Sequence, residues 1–241
     1  MAELANHRRR MIRVGGACGA LGIIVYMALA ISDPYIGPET KTTQEFLAAW
    51  GIPKYIAINM ALHFAFAGAA VLWLVAFVGL KRLLGAESPS VMVDVGALLG
   101  IVGCVVMAQM MIIQGSVMSK MGQAFLSATS ESERESAVSL YRGLRFIDYA
   151  MDLTFDLFFY TAWILLGLKM LRHQNFGKLF GGIGLILFVV AAIMNLRAAP
   201  DPPAFDAGPI AALWLLAVYV QMIRVAKSVT TSSESEVGDG G

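Results

Sequence analysis

Apolar residues fill six stretches of the chain, at about 12–32, 56–80, 91–114, 146–168, 179–199 and 207–226. An α-helix needs roughly 20 mostly apolar residues to cross the hydrocarbon core of a bilayer. Each stretch meets that length, so the pattern predicts an all-α, polytopic transmembrane bundle of six spanning helices. Polar residues gather between the stretches. Residues 33–55 begin with Asp33-Pro34 and contain a short interfacial helix over 43–50, ended by Gly51 and Pro53. Residues 115–145 are polar but compatible with helix. Ser130 and Glu133 have the spacing of a capping box, so the fourth span is expected to begin near 131 and run as one helix to about 171. Residues 1–227 form one bundle, and 228–241, rich in Ser, Thr, Glu and Gly, are expected to be a disordered cytoplasmic tail.

The flanking charges suggest an orientation. With the N-terminus inside, eleven of the 18 Lys and Arg residues fall on the inner side, among them Arg8, Arg9, Arg10, Lys81 and Arg82. Seven fall on the outer side, among them Lys120, Arg142, Arg145 and Arg197. The excess of basic residues on the cytoplasmic side predicts an N-in/C-in topology. The competing account of the first span is a cleaved signal peptide, with Arg8-Arg9-Arg10 before the apolar run and Ala28-Leu29-Ala30 after it. The apolar run is long for that role, and Gly15 and Gly19 suit helix packing. Gly96/Gly100 and Gly177/Gly181 repeat the same spacing, which lets helices approach closely in lipid. The first and fifth spans share a Gly-Gly start and an Asp-Pro exit, at Asp33-Pro34 and Asp201-Pro202.

Composition sharpens the picture. The chain is 58% hydrophobic and only 15% charged, against about 25% charged in soluble domains, and its mean hydropathy is +0.69. A net charge of +1 offers no basic body for nucleic acid. Cys18 and Cys104 lie within apolar runs and are expected to pack there. The three histidines are too scattered for a metal site. No pattern calls for a metal or a cofactor.

The chemistry concentrates in the fourth span. Asp148, Asp152 and Asp156 recur every four residues, so they share one helical face. A carboxylate at bilayer depth costs a few kcal/mol even by insertion scales, so three need partners, water or a function. Counted from Leu168, Asp156 lies about 18 Å deep, Asp152 in the outer half and Asp148 near the outer surface. His63, Gln109, Asn195, Arg145 and Arg197 fall at outer-half depths too. They are the candidate ligands or partners beside the aspartates. On this count Asp148 is wet, Asp152 pairs with Arg145 or His63, and Asp156 is deep and lacks a basic partner. Phe155, Phe158, Phe159, Tyr160 and Trp163 are expected to face lipid or the core.

The stretch 142–195 resembles a family of uncharacterised bacterial multi-pass membrane proteins, a domain of unknown function. The resemblance rests on Arg142-Gly143, on Trp163-Ile164-Leu165-Leu166-Gly167 and on the turn from Phe176 through Gly177, Gly181 and Gly182 to Gly184. The proline and tryptophan common in that family's turn are absent here. The resemblance implies a bacterial helical bundle and carries no catalytic residues. Intramembrane prenyltransferases also space aspartates by four, but they have more spans and a second acidic motif that this chain lacks.

Three functions fit these observations. The foremost is binding or transport of a cation or small polar solute at an outward-facing acidic pocket. The second is acid catalysis on a lipid or isoprenoid by Asp156 beside aromatic rings. The third is an accessory subunit whose aspartates are all paired and whose small-residue faces meet a partner helix or a second copy of the chain. The bilayer itself is the remaining partner.

Overall fold

The computed structural model describes residues 2–36, 40, 42–86, 89–198 and 207–235. They form seven helices: α1 (Ala2–Ile36), α2 (Thr43–Trp50), α3 (Pro53–Leu84), α4 (Val91–Ser127), α5 (Glu131–Met170), α6 (Gly177–Ala198) and α7 (Gly208–Ser235). All except α2 are long and apolar enough to cross a membrane, and the protein is a multi-pass helical membrane protein. The short helix over 43–50 forms as expected. Its start is a full capping box: Thr42 Oγ1 accepts from the Glu45 amide, and the Glu45 carboxylate accepts from the Thr42 amide. Pro53 occupies the first turn of α3, where its missing N–H is not needed.

Helix α5 is the single long helix that the polar 131–145 stretch implied. Its cap differs in detail from the expected box. Ser130 Oγ accepts from the Glu133 amide at 3.3 Å, but the Glu133 carboxylate turns back to the Thr129 amide at 2.6 Å. Two boundaries differ from expectation. α1 runs through Asp33-Pro34 to Ile36, so that pair does not end the first span. α7 continues to Ser235, eight residues into the segment expected to be disordered. Asp201-Pro202 and residues 236–241 lie outside the described residues.

The six long helices form a ring. α1 packs on α3 and α7, α3 on α4, α4 on α5, and α5 on α6, while the α6–α7 seam is sparse. Neighbours in this ring alternate in direction. One end of the bundle carries the start of α1 and the end of α7 and is called the terminal end. The opposite end carries α2, which lies mainly on α4 with Leu47 against Met121 and Val138. At the terminal end the α5–α6 turn latches the ring. The buried His173 donates from Nε2 to the Leu83 carbonyl at 3.3 Å, and Gln221 donates to the Asn175 carbonyl at 2.9 Å. The Leu83 carbonyl, at the C-terminal end of α3, also accepts from the Ala86 amide at 3.1 Å.

Glycines set the close crossings. A Cβ on Gly15 would lie 2.8 Å from Gly79 Cα, and one on Gly19 would meet the Tyr219 ring at 2.5 Å. Gly96 rests against Leu166 of α5, and Gly181 against the Met170–Leu171 backbone. Gly177 does something else. It has open space around it and a φ of +76°, the left-handed region glycine enters at little cost, so it shapes the turn into α6.

Close packing of this kind responds steeply to volume. Gly15→Val must push α1 off backbone atoms of α3 and is expected to lower stability by about 1–3 kcal/mol. Gly68→Ala, on an exposed helical position with nothing within 4 Å, is expected to be neutral or stabilising by up to about 1 kcal/mol. Thermal unfolding in detergent distinguishes the two.

Candidate functional site

Helix α5 carries the three aspartates on a stripe that continues at helical spacing through Phe159, Trp163, Leu166 and Met170. Those four residues are buried in the core. The stripe therefore faces the middle of the ring. Its lower part is closed by aromatic packing and its upper part carries the carboxylates, each in a different setting.

Asp148 is the most enclosed of the three, at 6% exposure. Gln114 of α4 donates from Nε2 to its Oδ1 at 2.6 Å, and the Arg145 guanidinium lies 3.0 Å from its Oδ2. The expectation that Asp148 is wet is thus corrected. It lies near the α2 end, as counted, but α4 packs over it there. The same α3–α4–α5 layer is tied by Asn59, 3% exposed, which donates to the Gln114 and Gly115 carbonyls and to Ser119 Oγ at 3.1–3.2 Å.

Asp156 is half-buried and answers its charge with neutral donors. Asn195 of α6 donates from Nδ2 to its Oδ2 at 2.5 Å and also to the Tyr160 hydroxyl oxygen at 2.9 Å. The Tyr160 hydroxyl is itself hydrogen-bonded to the Asp156 carboxylate. A closed triangle of carboxylate, phenol and carboxamide results. It gives a half-buried acid hydrogen-bond donors from two side chains.

Asp152 lies between these two and differs from both. It is exposed, although it sits on the stripe that faces the ring interior. Among the described residues it makes no hydrogen bond or ion pair. Arg145, which was expected to reach it, is engaged with Asp148. His63, the other expected partner, donates from Nδ1 to the Asn59 carbonyl at 2.8 Å. Asp152 is therefore the aspartate of the three that neighbouring helices leave uncovered.

The remaining candidates separate by face. Asn195 joins the site. Gln109 lies exposed over an apolar groove lined by Val71, Leu74 and Ile112, between α3 and α4 and away from the aspartates. Arg197 is exposed and pairs with no carboxylate among the described residues. Two partners were not among the expected site residues. They are Gln114 of α4 and Tyr160, which was expected to face lipid or the core. Tyr160 was visible in principle, because it follows Asp156 by four residues.

Below the carboxylates a continuous aromatic cluster fills the ring. Trp163 stacks on Phe188 with ring centres 5.8 Å apart and planes at 16°, and it meets Trp214 edge-on at 5.5 Å. A cavity of about 80 Å³ lies above this cluster, bounded by Tyr26, Trp73, Phe155, Phe159, Tyr160 and Phe188. Asp156 does not line it; that residue borders a separate crevice of about 30 Å³ between α5 and α6. The indole nitrogens of Trp73 and Trp163 and the Tyr219 hydroxyl are buried without partners among the described residues. Among the described residues no hydrogen-bonded chain runs through this floor. No group of three or more His, Cys, Asp or Glu suited to a metal occurs among the described residues.

Comparison with known proteins adds no assignment: no family model, no curated protein and no solved structure matches this chain.

The Gln114–Asp148 bond is open to a direct check. Gln114→Leu leaves a buried carboxylate short of a donor and is expected to cost about 1–3 kcal/mol. In an Asp148→Asn background the same change is expected to cost about half as much, because the bond is then neutral. A double-mutant cycle by thermal unfolding reads the difference.

Proposed function

We propose that the protein binds a cation or a small cationic solute at the α2 end of the bundle, with Asp152 as the charged ligand. The observation that carries this reading is the exposed carboxylate of Asp152, without a partner among the described residues, on the inward stripe of α5. Asp148 and Asp156 are held by neighbouring helices and form the fixed frame on either side. A carboxylate left open in an otherwise apolar bundle attracts positive charge, and its low-dielectric walls strengthen that attraction. On this reading the α2 end is the outer face, with the N-in/C-in topology that the charge bias favours, and the membrane is the bacterial inner membrane that the resemblance of 142–195 implies. The aromatic floor makes the site one-sided, so passage across the membrane needs a second conformation of the ring.

The other two readings have less support. Acid catalysis on an isoprenoid needs an apolar tunnel reaching Asp156, and the central cavity ends at Tyr160. An accessory subunit needs all three carboxylates paired, and Asp152 has no partner among the described residues.

Binding to the folded state raises stability by about 2.7 kcal/mol at a ligand concentration of 100 times Kd. A panel of sodium, potassium and primary alkylammonium salts at constant ionic strength is the probe. At least one is expected to raise the unfolding temperature of the wild-type protein. Asp152→Asn is expected to abolish that rise while leaving the fold intact. An equal rise in Asp152→Asn contradicts the reading.

A further inference from the structure

A second concavity lies away from the aspartates, at the terminal end: a groove of about 710 Å³ between the first turns of α1, the end of α3 and the start of α4. Arg8, Lys81 and Arg82 line it with His7, and Asp94 is its one carboxylate among the described residues. Among those residues three cations thus face a single anion. We propose that this groove binds the phosphate headgroup of an anionic phospholipid.

The fold builds the groove. α1 and α3 are pinned together at Gly15–Gly79. Arg8 lies two turns nearer the terminal end, and its Nε donates across the gap to the Arg82 carbonyl at 3.2 Å. That bond satisfies one of the free carbonyls at the C-terminal end of α3. It also fixes the guanidinium in place. The two terminal amino groups of Arg8 have no partner among the described residues, and this is the pair that grips a phosphate in bidentate fashion. Lys81 meets Asp94 at 3.0 Å, but both side chains are about half exposed. Such an exposed pair is weak, so Lys81 is readily shared with an incoming anion.

Position favours a lipid over a soluble anion. The apolar run of α1 starts at Met11 and that of α3 ends at Leu80, so Arg8, Lys81 and Arg82 sit where the spans leave the hydrocarbon. Basic pockets between helices at that level suit acidic headgroups. The groove wall also includes the apolar Leu4, 76% exposed, and Val93.

The test uses the full chain, reconstituted in bilayer discs of equal phosphatidylglycerol and phosphatidylcholine and then extracted in mild detergent. Mass spectrometry counts the lipid that remains bound. Wild-type protein is expected to retain phosphatidylglycerol in preference to phosphatidylcholine. Arg8→Gln/Arg82→Gln is expected to reduce that retention roughly tenfold. Arg172→Gln/Arg224→Gln removes the same charge from exposed positions at the same end, outside the groove, and is expected to leave retention unchanged. Equal loss in both double variants would make it a diffuse charge effect and overturn the site. Displacement of phosphatidylglycerol by millimolar inorganic phosphate would overturn the headgroup in favour of free phosphate. If the Arg8/Arg82 variant does not fold, equal retention of the two lipids by the wild-type protein overturns the proposal by itself.

Discussion

A carboxylate in apolar surroundings must find hydrogen-bond donors, and α5 carries three of them within two helical turns. The structure meets that demand with carboxamides more than with cations. Gln114 reaches Asp148 from α4, and Asn195 reaches Asp156 from α6. Arg145 pairs with Asp148 from within the same helix. Because the two donors come from opposite neighbours, they fix the rotation of α5 about its axis. That rotation decides where Asp152 points. The open carboxylate is a consequence of tying the other two.

Packing below the stripe makes this arrangement one-sided. Glycines let α1 close on α3 and α7, and large rings then fill the space inside. Trp163, Phe188 and Trp214 pack ring against ring, with no connected polar chain among the described residues. The polar half of the ring interior is therefore confined to the α2 end, where the α4–α5 hairpin and α2 rise beyond the length a bilayer requires. The opposite end is organised by different contacts, the His173 latch and the Arg8–Arg82 clasp.

Much of the fold was legible in the sequence, because length and hydropathy mark a span without reference to its neighbours. The six long helices, the short helix over 43–50 and the long α5 are all of this kind. Pro34 shows the limit: it lies within α1, not beyond its end. The site was legible only in part. Depth can be counted along a helix at about 1.5 Å per residue, and this brought His63, Gln109, Asn195 and Arg197 to comparable levels. Which way each faces cannot be read when the helix is apolar on nearly every side, as α4 and α6 are. Hence Gln109 and Asn195 looked alike and point to different places. Asp148 was misjudged for the same reason, since depth says nothing about a helix packed over the residue. Tyr160 was missed because its ring suggested packing, while its hydroxyl sits within reach of the acid four residues earlier.

The central claim is that one aspartate of the three is open and the other two are tied. Carbodiimide labelling in reconstituted bilayers, with each adduct located by mass spectrometry, tests it most directly. The account predicts that Asp152 is modified first and that Asp148 and Asp156 lag well behind it. Labelling of Asp148 or Asp156 as fast as Asp152, or a silent Asp152, would contradict it.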